Sequence, residues 1–346
     1  MIETITKKVR SRAPLRLGFA GGGTDLSPYC DEFGGAILNV TIDRYAFATI
    51  LPEPNGKIIF VADDMDHGEE FDLDASLEDS TLVLHRGVYE RMIRDYNQGR
   101  RVPMIVKTTV DAPPGSGLGS SSALVVALVE AFRHILDAPL GPYDVAHLAF
   151  EIERIDLGLA GGRQDQYAAA FGGINFIEFL PQDRVIVNPM RISTAIKNEL
   201  ESSVVVCFSG RSRDSADIIS KQTDGLRSNT TKTVDAMHKL KQDAIEMKSA
   251  VLTGNMAEMA TVLNRSWIAK KATADGISTT RIDEIFELAM SAGALGGKVS
   301  GAGGGGFLFF LVHPEHRYGL VRSLNEIGAV ASPAKFTENG CETWQF

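Results

Sequence analysis

The stretch that decides the fold is residues 113–123, PPGSGLGSSSA. Three glycines lie within five residues, Gly115, Gly117 and Gly119, and glycine lets backbone N–H groups approach a ligand without obstruction by a Cβ atom. A predicted strand precedes this loop, and an apolar, buried helix is predicted directly after it. Because a helix N-terminus carries unpaired N–H donors and a partial positive charge, this order of elements predicts a phosphate-binding site.

The serines that open this helix fit two interpretations. Ser120, Ser121 and Ser122 could cap the helix at the end of an ordinary glycine-rich turn. One of their hydroxyl groups could also reach a Mg²⁺ ion that bridges the phosphates of a nucleotide. The sequence of strand, glycine loop and buried helix favours the nucleotide-binding interpretation.

Outward from this loop, the chain predicts an α+β protein with two lobes. It has 346 residues, of which 44% are hydrophobic and 23% charged, as in ordinary globular proteins. Strands come in runs rather than in strict alternation with helices, which indicates α+β rather than α/β. The pattern of the sequence changes near residue 188. We therefore expect an N-terminal ATP-binding domain over 1–185 and a C-terminal domain over 186–346.

Several classes of protein are disfavoured by composition. The net charge is −9 and no long Lys/Arg run appears, which argues against nucleic-acid binding. No window of about 18 apolar residues predicts a membrane span. Three cysteines without a CxxC spacing indicate reduced thiols, so we expect a cytoplasmic location. The sequence does not give the oligomeric state, and a homodimer is compatible with it.

Two further motifs flank the loop in the chain. Residues 13–26 read APLRLGFAGGGTDL, and residues 298–306 read KVSGAGGGG. Together with residues 113–123, they resemble the three motifs of the GHMP kinases, which transfer the γ-phosphate of ATP to a hydroxyl group. The resemblance implies a two-lobed fold, ATP and Mg²⁺ binding, and a third glycine loop between a helix and a strand. It assigns the ATP loop to Pro114, Gly115, Ser116, Gly117, Leu118, Gly119, Ser120, Ser121 and Ser122.

The resemblance also implies the catalytic residues. Asp165 lies in the run GGRQDQY (161–167) and matches the residue that takes the proton of the attacking hydroxyl in related sugar kinases. Arg16 lies where those kinases place an arginine near the base and the transferred phosphate. Two plainer interpretations stay open, namely Asp165 as a helix N-cap and Arg16 as a surface residue.

A metal site is implied by the same resemblance. Glu153, twelve residues before Asp165, fits the carboxylate that binds Mg²⁺ in mevalonate kinase-like members. Ser121 aligns best with the serine that completes that site, and Ser120 is the alternative. Glu151 could instead be the carboxylate ligand, or both glutamates could be solvated helix charges.

The substrate side carries a more specific resemblance. Galactokinases have Gly-Glu-His-Thr-Asp where this chain has 21–25, so Gly22 and Gly23 replace two larger side chains and leave a roomier pocket. The runs AGGGTDL and GGRQDQYAAAFGG resemble the heptose 7-phosphate kinase family, as does SGRSRDSA (209–216). The substrate contacts that this implies are Gly22, Gly23, Thr24, Asp25, Arg163, Gly173 and Gly303.

That family phosphorylates the anomeric C1 hydroxyl of D-glycero-D-manno-heptose 7-phosphate to the 1,7-bisphosphate, which leads to GDP-heptose for lipopolysaccharide and other surface polysaccharides. Arg163, Arg211 and Arg213 are the candidates to hold the 7-phosphate, and the alternative for each is an ordinary surface charge. L-Fucose kinases share the AGGGTD loop and are the alternative within the class. A sugar-responsive regulator without turnover is the alternative from another class.

Overall fold

The computed structural model describes residues 5–210, 215–228 and 231–346. Arg211 and Arg213, two of the residues predicted to hold a substrate phosphate, lie outside these ranges. The architecture is α+β, as predicted, and consists of two sheets with helices packed on them.

The larger sheet is built around one long strand. Strand β2 runs along β1 in antiparallel register, and its two halves then diverge, the first pairing with β6 and the second with β5. The order is β12-β1-β2-β5-β3-β4, with β6 on β2 and β7 on β6. The strands are β1 (Val9–Ala20), β2 (Gly35–Pro52), β3 (Lys57–Ala62), β4 (His67–Asp72), β5 (Met104–Val110), β6 (Ile174–Leu180), β7 (Arg184–Pro189) and β12 (Glu342–Gln345).

The helices of the N-terminal part surround α3, which is buried on nearly every side. Its apolar residues join one large core with the inner faces of β1 and β2. This explains the helix that is apolar all round in the sequence. The helices are α1 (Tyr29–Phe33), α2 (Val83–Tyr96), α3 (Ser120–Ile135), α4 (Pro142–Glu151) and α5 (Gln164–Phe171).

The second sheet is antiparallel and has four strands in the order β11-β8-β10-β9. Its strands are β8 (Val204–Phe208), β9 (Ala294–Val299), β10 (Phe307–Val312) and β11 (Val330–Pro333). The helices are α6 (Thr194–Ser203), α7 (Ser215–Arg227), α8 (Thr231–Thr253), α9 (Met256–Lys271), α10 (Thr280–Ser291) and α11 (Pro314–Glu326). The inner face of this sheet contacts the first core, where Phe309 stacks on Phe19 at 5.0 Å between ring centroids.

Three local features show how neighbouring elements connect. Helices α8 and α9 are separate, because Gly254 adopts a positive φ and Asn255 caps α9 with its side chain. Helix α4 continues into a π-helical turn, Ile152–Asp156. The third glycine loop was expected after a helix, and this was wrong: it connects β9 to β10 in a hairpin.

Residues from both ends of the predicted C-terminal domain belong to the first sheet. The predicted boundary between residues 185 and 186 falls inside β7, which pairs with β6 in the first sheet. The C-terminal strand β12 returns from the second lobe to pair with β1. Within the described ranges, no helix is both long and apolar enough to cross a bilayer.

Candidate active site

A cleft of about 540 Å³ opens where the two lobes meet, a size suited to small-molecule ligands. It is lined by the loop after β1, the glycine loop before α3, the N-terminus of α5, the end of α9 and the loop after β9. All three sequence motifs therefore reach one cavity, although the first and the third lie near opposite ends of the chain.

The glycine loop before α3 packs tightly on the loop after β9. Gly117 has φ +80°, and a Cβ atom on it would lie 2.2 Å from the carbonyl oxygen of Ser300, so only glycine permits this contact. Ser116 and Leu118 are buried beneath the loop, and the N–H of Phe307 donates to the Ser116 carbonyl at 2.8 Å. The residues of the predicted ATP loop that line the cleft are Pro114, Gly115, Gly117, Gly119, Ser120, Ser121 and Ser122.

Arg16 and Asp165 form an ion pair in the cleft. The Nε–H of Arg16 donates to Oδ1 of Asp165 at 2.7 Å, and its Nη1 donates to the Gly117 carbonyl at 2.6 Å and to Ser300 Oγ at 3.1 Å. Arg16 is 4% exposed, so it is not a surface residue. Anchored by both glycine loops, its guanidinium fixes the position of the Asp165 carboxylate.

Asp165 also lies directly against the glycine loop. A Cβ atom on Gly119 would approach the Asp165 carboxyl carbon to 3.1 Å, so the glycine lets the carboxylate sit beside the N-terminus of α3. Among the described residues, Oδ2 of Asp165 has no hydrogen-bond partner. One oxygen is thus held by Arg16, and the other can accept a hydrogen bond from a ligand.

Asp25 is the group that caps α5. Its Oδ2 accepts from the backbone N–H groups of Arg163 and Gln164 at 2.8 and 3.0 Å, and its Oδ1 accepts from the Gly23 N–H at 3.2 Å and the Gln164 amide at 3.4 Å. A carboxylate offers about four lone-pair positions, so these bonds use them all. Asp25 therefore positions the start of α5, and with it Asp165. A hydrogen bond from Asp25 to a sugar hydroxyl would have to displace one of these donors.

Ser121 and Glu153 meet at the N-terminus of α3. Ser121 Oγ donates to Glu153 Oε1 at 2.7 Å, and the Gln166 amide donates to Oε2 at 2.5 Å. Glu153 lies on the π-helical turn after α4 and is fully buried behind Ser121, with Arg154 at 3.6 Å. A hydroxyl and a carboxylate beside the glycine loop are hard oxygen ligands and suit Mg²⁺ that keeps water and nucleotide oxygens.

Glu151 lies on another face. Its carboxylate pairs with Arg91 on α2 at 2.6 Å and with His147 at 3.5 Å. Of the two glutamates, Glu153 is therefore the one that the fold brings to the nucleotide loop.

The remaining predicted substrate residues divide into two groups. Gly22 and Gly23 line the cleft, and Thr24 is buried beneath them, where its hydroxyl bonds the Gly21 and Ala36 carbonyls. Gly173 and Gly303 are not among the lining residues. At the far end of α5, the Gly173 carbonyl accepts from the Thr41 N–H, and the Gly173 N–H donates to the Thr41 hydroxyl. Gly303 packs on Ile277.

Arg163, predicted to hold a substrate phosphate, is already paired. Its guanidinium contacts Asp183 at 2.6 Å and Asp31 at 3.1 Å, and it lies over the ring of Phe150. Two carboxylates neutralise this cation, so it has little charge to offer an anion.

Sequence reasoning missed two buried lysines in the cleft, Lys270 at the end of α9 and Lys298 on β9. Burial lowers the pKa of Lys270 to about 8, an effect that Asp25 opposes. Burial, with the charges of Lys270 and Arg16, lowers the pKa of Lys298 to about 7. A signal for Lys270 was present, because it continues the apolar helical face of Leu263 and Trp267.

Comparisons with known proteins match both lobes of the chain. Residues 83–173 match the family model of the GHMP kinases N terminal domain, and residues 247–330 match that of the GHMP kinases C terminal. A D-glycero-alpha-D-manno-heptose 7-phosphate kinase from Campylobacter jejuni is 42% identical over 98% of this chain and 99% of its own length. A bifunctional fucokinase/GDP-fucose pyrophosphorylase from Arabidopsis thaliana is 25% identical over 88% of this chain and 30% of its own.

Among solved structures, a D-glycero-D-manno-heptose 1-phosphate kinase from Bacteroides thetaiotaomicron superposes with a TM-score of 0.83. It is 44% identical, and the match covers 98% of this chain and 99% of that one.

Proposed function

The chain belongs to the GHMP kinase family, and from that premise we propose that it transfers the γ-phosphate of ATP to the anomeric C1 hydroxyl of D-glycero-D-manno-heptose 7-phosphate. The product would be the 1,7-bisphosphate, a precursor of GDP-heptose for surface polysaccharides such as lipopolysaccharide. The observation that carries the kinase activity is the Arg16–Asp165 pair at 2.7 Å beside the glycine loop. The full-length identity of 42% to a heptose 7-phosphate kinase supports the substrate.

The arrangement suits phosphoryl transfer because the protein mainly has to position groups. Free N–H groups at the N-terminus of α3 would hold the nucleotide phosphates. The open Oδ2 of Asp165 would accept a hydrogen bond from the C1 hydroxyl and take its proton as the oxygen bonds to the γ-phosphorus. The bond between that phosphorus and the β,γ-bridging oxygen then breaks, and ADP leaves.

A cationic side chain and a pair of metal-binding side chains complete the proposed site. The Arg16 guanidinium lies beside both the base and the loop, where it would offset charge that develops on the transferred group. Ser121 and Glu153 would hold Mg²⁺, which when bound neutralises phosphate charge. The alternative of a non-catalytic regulator predicts that the base or the metal carboxylate is lost, whereas this chain retains Asp165 and Glu153, the residues proposed for these roles.

The proposal is tested by ADP release from ATP and Mg²⁺ with a panel of acceptors, namely heptose 7-phosphate, mannose 6-phosphate, L-fucose, galactose and mevalonate. We expect the highest kcat/KM with heptose 7-phosphate. A preference for L-fucose would keep the kinase activity and replace the substrate. No turnover with any acceptor would contradict the kinase proposal and favour the regulator.

A further inference from the structure

Two ammonium groups in the cleft are buried without a counter-ion. Lys270 is 3% exposed and Lys298 is 4% exposed, yet both line the cavity. Lys270 donates one hydrogen bond, to the Gly22 carbonyl at 3.1 Å. Within the ranges that the structure describes, neither lysine forms an ion pair, and Lys298 has no hydrogen-bond partner. An unpaired buried charge costs stability, so a ligand that supplies the missing anion is the natural explanation.

Two carboxylates raise the pKa values of these lysines without forming ion pairs with them. Asp25 raises the pKa of Lys270, but its oxygens accept four N–H groups of its own lobe. Asp243, on α8, raises the pKa of Lys298, but its Oδ1 pairs with Arg265 at 2.6 Å, and within the described ranges its buried Oδ2 forms no hydrogen bond to Lys298. Because Asp165 balances Arg16, the two lysines against Asp25 leave this part of the cleft with an excess of positive charge.

The glycine pair after β1 gives access to Lys270. A Cβ atom at residue 23 would lie 3.2 Å from the Lys270 Nζ and 3.3 Å from the Met237 methyl group. A Cβ atom at residue 22 would meet nothing within 4 Å. A side chain at residue 23 would crowd the ammonium group, whereas the two glycines leave the space beside it open to a ligand.

The nucleotide has a separate set of donors. The glycine loop and the N-terminus of α3 belong to the N-terminal lobe, whereas both lysines belong to the other lobe. Lys270 contacts the loop that forms the sugar side of the cleft, not the glycine loop before α3. A second anionic group, on the acceptor rather than on ATP, fits these positions.

We propose that Lys270 and Lys298 hold the distal phosphate of the sugar phosphate substrate, an inference that rests on the proposed function above. The two ammonium groups would bind the phosphate dianion by charge-assisted hydrogen bonds while Asp165 accepts the hydroxyl at the other end of the sugar. The distal phosphate site thus belongs to α9 and β9, and the paired Arg163 has no part in it.

The variants Lys270→Met and Lys298→Met test the assignment, with Lys271→Met as the matched control. Lys271 is the neighbour of Lys270 but is exposed and lies over the ring of Trp267. Each cleft variant should raise the KM for heptose 7-phosphate by roughly 10- to 100-fold, as expected for loss of a charged hydrogen bond. The KM for ATP should change much less, and Lys271→Met should behave as the wild type.

The acceptor without its phosphate separates this role from a general structural one. In the cleft variants, kcat/KM for heptose 7-phosphate should fall at least about tenfold more than kcat/KM for the unphosphorylated heptose. Equal losses on both acceptors, or a rise confined to the KM for ATP, would overturn the phosphate assignment while leaving the kinase activity intact. Failure of the wild type to phosphorylate heptose 7-phosphate would instead contradict the function on which the inference rests.

A measurement on the wild-type protein covers the case in which a variant fails to fold. Pyridoxal 5′-phosphate carries a phosphate and an aldehyde that condenses with a neutral lysine amine, releasing water, and borohydride reduces the imine to a stable amine. Peptide mapping should find label on Lys270 or Lys298, and heptose 7-phosphate should protect both. Labelling elsewhere, or protection by a non-hydrolysable ATP analogue but not by the sugar phosphate, would overturn the assignment.

Discussion

In the function proposed above, the two halves of the cleft would recognise phosphate by different means. The half beside α3 uses backbone: three glycines with φ between +70° and +80° lead into a helix N-terminus, and the side chains of Ser116 and Leu118 point away into the core. The half beneath Gly22 uses side chains, the buried ammonium groups of Lys270 and Lys298. The first kind of site depends on one continuous segment, and the second on two residues that only the tertiary fold brings together.

This difference has an energetic side. Backbone N–H groups at a helix N-terminus can be hydrated by water when no ligand is bound, so an empty nucleotide site costs little. Buried ammonium groups without a counter-ion are a standing cost to the unliganded protein. We therefore expect substitutions in the glycine loop before α3 (the backbone half) to lower the stability of the unliganded protein. Substitutions that remove Lys270 or Lys298 (the lysine half) should raise it.

The largest effect should come from the residue between the two halves. Asp165→Asn keeps the size of the side chain but removes the proton acceptor, and we expect kcat to fall by roughly 10²- to 10⁴-fold. The Kd for ATP, measured by calorimetry, should stay close to that of the wild type. Unchanged turnover would show that Asp165 does not take the proton.

The proposed metal ligand, Glu153, should give the next largest effect. Glu153→Gln removes a buried negative charge beside Ser121, and the Mg²⁺ concentration for half-maximal turnover should rise at least about tenfold. Glu151→Gln is the matched control, because Glu151 pairs with Arg91 on another face. Equal shifts in both variants, or a shift in Glu151→Gln alone, would place the metal elsewhere.

The contact between the glycine loops should show in stability. Gly117→Ala places a Cβ atom 2.2 Å from the Ser300 carbonyl, whereas Gly99→Ala has a similar positive φ and meets nothing within 4 Å. Gly117→Ala should therefore lower the free energy of unfolding by about 1–3 kcal/mol more than Gly99→Ala does. It should also weaken ATP binding. Urea titrations of both variants make the comparison, and equal losses would mean that the loops do not depend on this contact.

The smallest expected effect is a gain in stability on replacement of Lys298. Lysine has an ordinary pKa of 10.5, and in the fold that of Lys298 is lowered to about 7. Between these values the unfolded chain binds more protons than the folded one, so the lysine's contribution to stability rises with pH. Below pH 7 both states carry the charge and the full burial cost remains. Lys298→Met should thus exceed the wild type in stability by about 1 kcal/mol at pH 6, and the difference should shrink towards pH 9.

Thermal or urea unfolding of the Lys298 variant over this pH range provides the check. A variant that is less stable than the wild type at pH 6 would show that Lys298 stabilises the unliganded fold. The division of the cleft into a neutral backbone half and a costly cationic half would then be incorrect.

The fold class and the backbone half of the site could be predicted from sequence because their signals are local. The conformation of three glycines before an apolar helix depends on one short segment of chain. The pairing of Ser121 with Glu153 follows from the family resemblance. Packing between distant segments decides the predicted roles of Gly173, Gly303 and Arg163. The hydrophobic periodicity of the sequence does not indicate that packing. Asp31 and Asp183, which neutralise Arg163, come from outside its motif.

The lysine half could not be predicted for the same physical reason. Lys298 is the first residue of the third motif and lies on β9, and its burial depends on which face of β9 turns towards the first lobe. Asp25 shows the converse, since the residue expected to touch the sugar is the cap of α5. A motif identifies residue types, but the donors around a carboxylate decide how much of it a substrate can use.

The most direct test of the central claim is the identity of the product. Purified protein, ATP and Mg²⁺ are incubated with heptose 7-phosphate, and the product is examined by ³¹P NMR. The account predicts a second phosphate signal coupled to the anomeric proton, so that the product is the 1,7-bisphosphate. A new phosphate on any other carbon, or ADP release without a phosphorylated sugar, would contradict it.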